Sequence, residues 1–276
     1  MIIAVLSGKG GTGKTTVSAS LSAVIHPSQY VDCDVEEPNG YIFLKPEFKQ
    51  SIPVKVEIPC VDDAICTGCG ACAKACKFNA LAVIKGKVLV FPEICHHCGA
   101  YFIACKPGAL SAEERTVGVI EMNAENTFAQ GKLNIGEPVA VPVIRKLKEY
   151  LRKDIPVILD CSPGASCTVV ASLEDSDYCL LVTEPTPFGL HDLKIAVSLV
   201  RKLSKPFGIV INKALDNNSL IKDFCEDEGI EILMEIPYSK EIAIGYSGGV
   251  LPVKENPEWA EKFTKLFCRI KECAAK

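Results

Sequence analysis

MIIAVLSGKGGTGKTTVSASLSAVI, residues 1–25, is the stretch whose reading decides the fold. Residues 1–6 form an apolar run that reads as a buried strand, and 14–25 (KTTVSASLSAVI) reads as the helix that follows. Between them, Gly8 to Thr15 satisfies G-x-x-x-x-G-K-[ST], the loop whose backbone N–H groups wrap the phosphates of a nucleoside triphosphate. Gly8, Gly10, Gly11 and Gly13 let the backbone approach the phosphates, and Thr12 and Thr16 flank the cradle. Lys14 is expected to reach the terminal phosphate oxygens and the Thr15 hydroxyl to take Mg²⁺. A merely glycine-rich turn is the competing reading. It does not account for the strand before the loop and the helix after it.

Outward from this loop, short apolar runs recur: QYVDCDVEEPN (29–39), IPVILDCSPG (155–164), YCLLVTEPT (178–186) and FGIVINKA (207–214). Each ends in polar, Pro or Gly residues, and a helical pattern such as 189–203 (GLHDLKIAVSLVRKL) lies between them. Strands apolar on both faces and alternating with helices predict a doubly wound, mostly parallel α/β sheet.

Residues 57–112 break the pattern, being rich in Cys, Gly, Pro and Ala with one strand-like stretch, LAVIKGKVLVF (81–91). The expected organisation is 1–56 and 113–276 as two parts of one domain, with 57–112 inserted as a small α+β, ferredoxin-like domain. Cys66-x2-Cys69-x2-Cys72-x3-Cys76 has the spacing of bacterial iron–sulfur ligands, in which the fourth cysteine serves the other cluster. Zinc sites more often pair two knuckles across a longer gap. A shift of 29 positions lays Cys66 on Cys95, Cys69 on Cys98 and Cys76 on Cys105. A [4Fe–4S] cluster is therefore expected on Cys66, Cys69, Cys72 and Cys105. The second half keeps Cys76, Cys95 and Cys98 but has Tyr101 where a cysteine belongs. A [3Fe–4S] centre, a [4Fe–4S] centre with Tyr101 or His97 as substitute ligand, and no second cluster all stay open. Lys77 and Lys106 replace the usual prolines and are expected to raise cluster potentials or to dock an acidic partner.

Composition excludes several classes. The 276 residues are 48% hydrophobic and 23% charged, ordinary for a soluble domain, and the net charge of −4 offers nucleic acid no general attraction. No apolar run approaches the roughly 18 residues of a membrane span. The N-terminus reads as a strand and not as a signal sequence, so a cytoplasmic location is expected. Fifteen cysteines with C-x2-C spacing then point to metal and not to disulfides. Cys33, Cys60, Cys161, Cys179, Cys225, Cys268 and Cys273 are read as reduced thiols. Trp259, Phe263, Leu266, Phe267 and Ile270 form a helical stripe, read as core packing over a membrane-seeking face. His191 is read as a helix-start residue.

Lys9 in KGGTGKT gives the loop a second lysine, and with it the chain resembles the deviant-Walker ATPases of the MinD/ParA/nitrogenase-iron-protein group. DCDVEEPN, IGEP (135–138), SPGASC (162–167), TEPTPFGLHDL (183–193) and IPYSKEIA (236–243) extend the likeness to MinD-type ATPases with a ferredoxin inserted after switch I, which are related to Mrp-type carriers. The resemblance implies Mg²⁺-dependent ATP hydrolysis by an ATP-closed homodimer. It implies that Lys9 crosses to the partner's nucleotide, that Asp34 positions the attacking water, that Asp160 sits near Mg²⁺, and that Asn212 reads adenine. For Asp34 and Asp160 the bland alternatives are loop-capping and structural carboxylates. Cys167 would lie in or after the switch II loop, either as a metal ligand paired across the dimer or as a small thiol starting a helix. Two roles follow: clusters gated by ATP for a redox or cluster-acceptor protein, or a spatial switch with structural clusters.

Overall fold

The computed structural model describes residues 1–215 and 219–275. Eleven strands among them are β1 (Ile2–Leu6), β2 (Gln29–Asp32), β3 (Phe48–Val61), β4 (Leu81–Ile84), β5 (Lys87–Val90), β6 (Leu110–Asn123), β7 (Phe128–Leu133), β8 (Val157–Asp160), β9 (Tyr178–Thr183), β10 (Phe207–Ala214) and β11 (Ile232–Pro237). The helices are α1 (Lys14–Val24), α2 (Gly40–Leu44), α3 (Ala71–Ala75), α4 (Ala100–Ala104), α5 (Val141–Lys148), α6 (Cys167–Leu173), α7 (Pro187–Lys202), α8 (Ser219–Asp227), α9 (Lys240–Ser247), α10 (Pro252–Glu255) and α11 (Pro257–Ala274). Nine strands form one sheet in the order β11-β10-β9-β1-β8-β2-β7-β6-β3, and β4 pairs with β5 alone. From β11 to β7 every pairing is parallel; β7-β6 and β6-β3 are antiparallel. The mostly parallel α/β sheet read from the sequence is therefore present.

The centre of the sheet is buried on both faces, which is why its strands read as unbroken apolar runs. Successive side chains alternate across it. Ala4, Leu6, Val157, Leu159, Cys179 and Leu181 pack under α5 to α8 on one face. Ile3, Val5, Ile158, Leu180 and Val182 pack with Val17 and Leu21 of α1 and Phe263, Leu266 and Ile270 of α11 on the other. The C-terminal stripe thus covers the sheet, as its spacing predicted.

The sequence reading did not anticipate β3 and β6. These two 14-residue strands pair from Phe48↔Asn123 to Val61↔Leu110, and the boundaries expected at 57 and 112 fall inside them. They form an arm that starts as the edge of the main sheet and ends at the cysteine-rich segment. Pro53 and Pro59 lie in β3, the outermost strand, where a missing N–H costs no second ladder. No helix among the described residues is long and apolar enough to cross a membrane.

Candidate functional site

The strands β1, β2, β8, β9 and β10 all run in one direction, so the loops after them meet at a single edge of the sheet, the usual ligand-binding edge of open α/β folds. Gly13 has φ 94° and caps α1 with no side-chain acceptor. A Cβ there would come within 2.1 Å of Asn212 Nδ2. At Gly8 a Cβ would stand 2.2 Å from the Asp192 carbonyl oxygen. Both positions exclude any larger residue. Asn212 Nδ2 donates to Thr12 O at 2.7 Å, so the asparagine expected to read adenine is fastened to the phosphate loop itself.

Lys14 is buried at the start of α1, and its positive charge pulls the pKa values of both Asp34 and Asp160 down against their burial. Asp160 ends β8 beside Asp32 at the end of β2. Its Oδ2 accepts from Tyr30 at 2.8 Å, while Oδ1 is buried with no hydrogen-bond partner. The hydroxyls of Thr15 and Ser18 lie near the same carboxyl. Such an orphaned oxygen is costly unless something fills its place. A Mg²⁺ ion held from Thr15 would do so.

Asp32 was not singled out from the sequence, yet it organises the loop that follows. Its two oxygens accept from the backbone N–H of Asp34 at 3.1 Å, Asn39 at 3.0 Å and Gly40 at 2.9 Å. Burial and then the charge of Asp160 push its pKa well up, against those donors. Asp34 is held half-buried at the loop's start. Its pKa is raised from 3.8 to about 6, foremost by burial, with the Lys14 charge opposing.

Lys9 does not point into solvent. Its ammonium bonds Glu184, which also takes Lys213 at 3.2 Å, and Lys213 donates to Gly11 O at 2.9 Å. Burial pushes the Glu184 carboxyl up, but the hydrogen bonds from Lys9 and Lys213 outweigh it and hold it below its ordinary value. Beyond the loop, a cavity of about 260 Å³ is lined by Gly13, Thr16, Asn212, Pro237, Tyr238 and Tyr246, among others. Its aromatic and apolar wall suits a base or sugar. Tyr238 enters it from Pro237 to Ser239, where the parallel strand β11 ends and α9 begins.

In residues 57–112 the cysteines stand around two small cavities, each of about 20 Å³. Cys66, Cys69, Cys72 and Cys105 line the first. Cys76, Cys95, Cys98 and Tyr101 line the second, with His96 and Phe78. The internal repeat is carried into geometry. Ala80 N donates to Cys76 Sγ at 3.3 Å, and Ala109 N to Cys105 Sγ at 3.2 Å. Gly70 and Gly99 both precede five-residue helices with left-handed φ of 76° and 69°.

His97 takes the left-handed position that Gly68 holds in the first half, φ 55° against 65°, and is not among the residues lining the second cavity. His96 lines it instead, stacked on Phe78 at 3.6 Å between ring centres. Among the described residues, no three His, Cys, Asp or Glu side chains are grouped to hold a single metal ion.

Cys167 is exposed at the first position of α6, so it is not a buried thiol. Cys33, Cys161, Cys179 and Cys225 are buried, Cys60 and Cys273 are partly buried and Cys268 is exposed; all fifteen cysteines are free thiols. His191 lies exposed in the first turns of α7. Lys77 and Lys106 are exposed at the ends of their respective repeats.

Comparison with known proteins fits this edge-of-sheet site. Residues 3–253 match the model of the CobQ/CobB/MinD/ParA nucleotide binding domain. Two uncharacterized proteins of Methanocaldococcus jannaschii are similar. MJ0579 is 32% identical over 93% of each chain, and MJ0578 is 30% identical over 99% of this chain and 97% of its own. Among solved structures, the cell division ATPase MinD of Pyrococcus furiosus aligns with TM-score 0.58 at 20% identity over 98% of both chains. MinD of Pyrococcus horikoshii with Mg-ADP aligns with TM-score 0.55 at 20% identity, over 96% of this chain and 93% of that one. Cyanothece McdA with ATP aligns with TM-score 0.58 at 14%, over 96% of this chain and 94% of that one. At these identities the structures speak for the fold alone, but the family match covers most of the chain. This chain belongs to the CobQ/CobB/MinD/ParA nucleotide-binding family.

Proposed function

We propose that the chain is a Mg²⁺-dependent ATPase whose nucleotide state is coupled to iron–sulfur clusters in the segment 57–112, serving electron transfer or cluster delivery to a partner protein. ATP hydrolysis needs an oriented water and positive charge on the developing anion, and little else. Lys14 supplies the charge. Asp34, poised half-buried across from it, orients the water, and Asp32 fixes Asp34 by holding its loop through three backbone donors. Thr15 and Asp160 would hold Mg²⁺, which neutralises phosphate charge. Asn212 and the Tyr238–Tyr246 wall hold the nucleoside. In this conformation Glu184 retains Lys9 within its own subunit. Release of Lys9 to a second copy's nucleotide would tie hydrolysis to dimer closure.

The observation that carries the coupling is the arm. Its β6 strand is hydrogen-bonded through β7 into the sheet whose β2 ends at Asp32. Leu133 N at the end of β7 donates to Val35 O in the Asp34 loop at 2.8 Å. Arg115 of β6 pairs with buried Glu137 at 2.7 Å and donates to Pro92 O in the inserted segment at 3.1 Å. Movement of the Asp34 loop when the γ-phosphate leaves therefore has a continuous path to the cysteines. Four thiols around one cavity suit a cubane, with one thiolate per iron. A single ion would need them all within about 2.3 Å of one point.

EPR of anaerobically purified protein, with and without Mg·ATP, tests the reading. Spectra or midpoint potentials that shift with nucleotide support it. Identical spectra in every nucleotide state leave the clusters as passengers. They would favour the second reading, a MinD-like positioning switch, which the neighbours named as cell division ATPases suggest.

A further inference from the structure

The two cysteine cavities differ at one corner. Tyr101 is the second residue of α4, as Cys72 is of α3, and both are buried, at 5% and 6% exposure. Cys72 gives the first cavity its fourth thiol. Tyr101 lines the second cavity, and its buried hydroxyl has no hydrogen-bond partner. The chain thus places a buried polar group at the position where its own repeat uses a thiol, and an orphaned hydroxyl of this kind is destabilising unless a ligand meets it.

His97 does not replace the missing thiol, since it lies outside the cavity lining. His96 is engaged in its stack on Phe78 at the rim. A neutral phenol is a donor and acceptor and not a thiolate. An iron facing it would carry water or hydroxide and would be held by bridging sulfides alone. The rim is open to solvent at Cys98, His96 and Phe78.

We propose that the Cys76–Cys95–Cys98 cavity holds a three-thiolate cluster whose fourth iron, facing the Tyr101 hydroxyl, enters and leaves as ferrous ion. The proposal rests on the cluster reading of residues 57–112. Uptake balances without a redox step: reduced [3Fe–4S]⁰ plus Fe²⁺ gives [4Fe–4S]²⁺. Loss is oxidative: [4Fe–4S]²⁺ gives [3Fe–4S]⁺, Fe²⁺ and one electron, which ferricyanide accepts. The oxidised three-iron form takes one electron from dithionite before it can bind iron again. The first cavity, with four thiolates, has no exchangeable corner.

The test uses the full chain reconstituted anaerobically with iron and sulfide. Ferricyanide should generate the [3Fe–4S]⁺ EPR signal in the wild type. Dithionite with ⁵⁷Fe²⁺ should abolish that signal and put the label into a cluster seen by Mössbauer spectroscopy. Tyr101→Cys should resist ferricyanide and take up no label, while Tyr101→Phe should still exchange.

A wild type that yields no three-iron signal overturns the proposal, as does iron and sulfide for one cluster only or a Tyr101→Phe variant that no longer exchanges. If Tyr101→Cys fails to fold, the wild-type and Tyr101→Phe exchange data decide alone. A chain that retains no iron or sulfide at all sinks the cluster reading itself, a failure distinguishable from loss of exchange.

Discussion

Strands β1, β8 and β2 at the sheet's centre run four or five residues each and are almost wholly buried, whereas β3 and β6 run fourteen and leave many of their residues exposed. The centre is stabilised by helices on both faces and ends in carboxylates and a phosphate loop. Over its outer half the arm owes its shape mainly to its own ladder, and it ends in thiols. On the proposed function the two regions have separate jobs: the centre holds Lys14, Asp32 and Asp160 in register, while the arm carries displacement outward without unfolding. Ladder hydrogen bonds between two long strands suit that second task, because they fix relative position without demanding a core around them.

The largest effect should come from the centre. Ile158 is fully buried in the same apolar cluster as Val17, Leu21 and the α11 residues Phe263, Leu266 and Ile270. Ile158→Ala should cost about 2–5 kcal/mol in urea unfolding. A loss below 1 kcal/mol would mean that the centre is not the stabilising half. Next comes Arg115→Ala, which strands the carboxylate of Glu137, only 4% exposed, and removes the bond to Pro92 O. It should cost about 1–3 kcal/mol and abolish any nucleotide-dependent shift in the cluster EPR while leaving iron content unchanged. Persistence of the shift would move the coupling path away from Glu137 and Arg115.

Where sequence reading succeeded and failed follows the same division. A buried parallel strand is an unbroken apolar run, so β1, β8, β9 and β10 were visible, as was the strict motif from Gly8 to Thr15. Cysteine spacing foretold which thiols stand together, Cys66, Cys69, Cys72 and Cys105 around one cavity and Cys76, Cys95 and Cys98 around the other, because local loops fix which thiols can meet and the repeat supplies the crossed member. The arm was hidden. Ile52, Val54, Val56 and Ile58 do alternate, but Pro53 and Pro59 interrupt the stretch and read as loop. Only the knowledge that β3 is an edge strand makes them compatible with a ladder. Asp32 looked like one more strand residue, and its role depends on Asn39 and Gly40 folding back onto it. Glu184, Tyr238 and Tyr246 reach the site from separate elements, and no local pattern records that meeting.

The centre also sets a pH response. Asp34 has a folded pKa of about 6 against an ordinary 3.8, raised foremost by burial. Between those values the native state binds more protons than the unfolded one, so this residue's contribution to stability is full at low pH and is lost as pH rises through about 6. Asp34→Asn removes the burdened charge. It should melt higher than the wild type at pH 8 and no differently at pH 4. Its ATP hydrolysis should be lost, whereas wild-type hydrolysis should rise as pH passes about 6 and the carboxylate ionises. Parallel melting profiles in wild type and variant would show that the carboxyl is not strained in the folded chain.

The smallest effect belongs to the arm's surface. Lys55 on β3 reaches Glu114 on β6 at 2.7 Å, with both side chains at least half exposed. Exposed pairs of this kind contribute about 0–1 kcal/mol, and salt weakens them further. Lys55→Ala should therefore shift unfolding by no more than that, and leave any nucleotide response of residues 57–112 untouched. A larger loss, or a response that fades at high salt in the wild type, would mean that the arm owes its stiffness to cross-strand charge pairs and not to the backbone ladder. The path from Asp34 to the cysteines would then run through side chains that ionic strength can loosen.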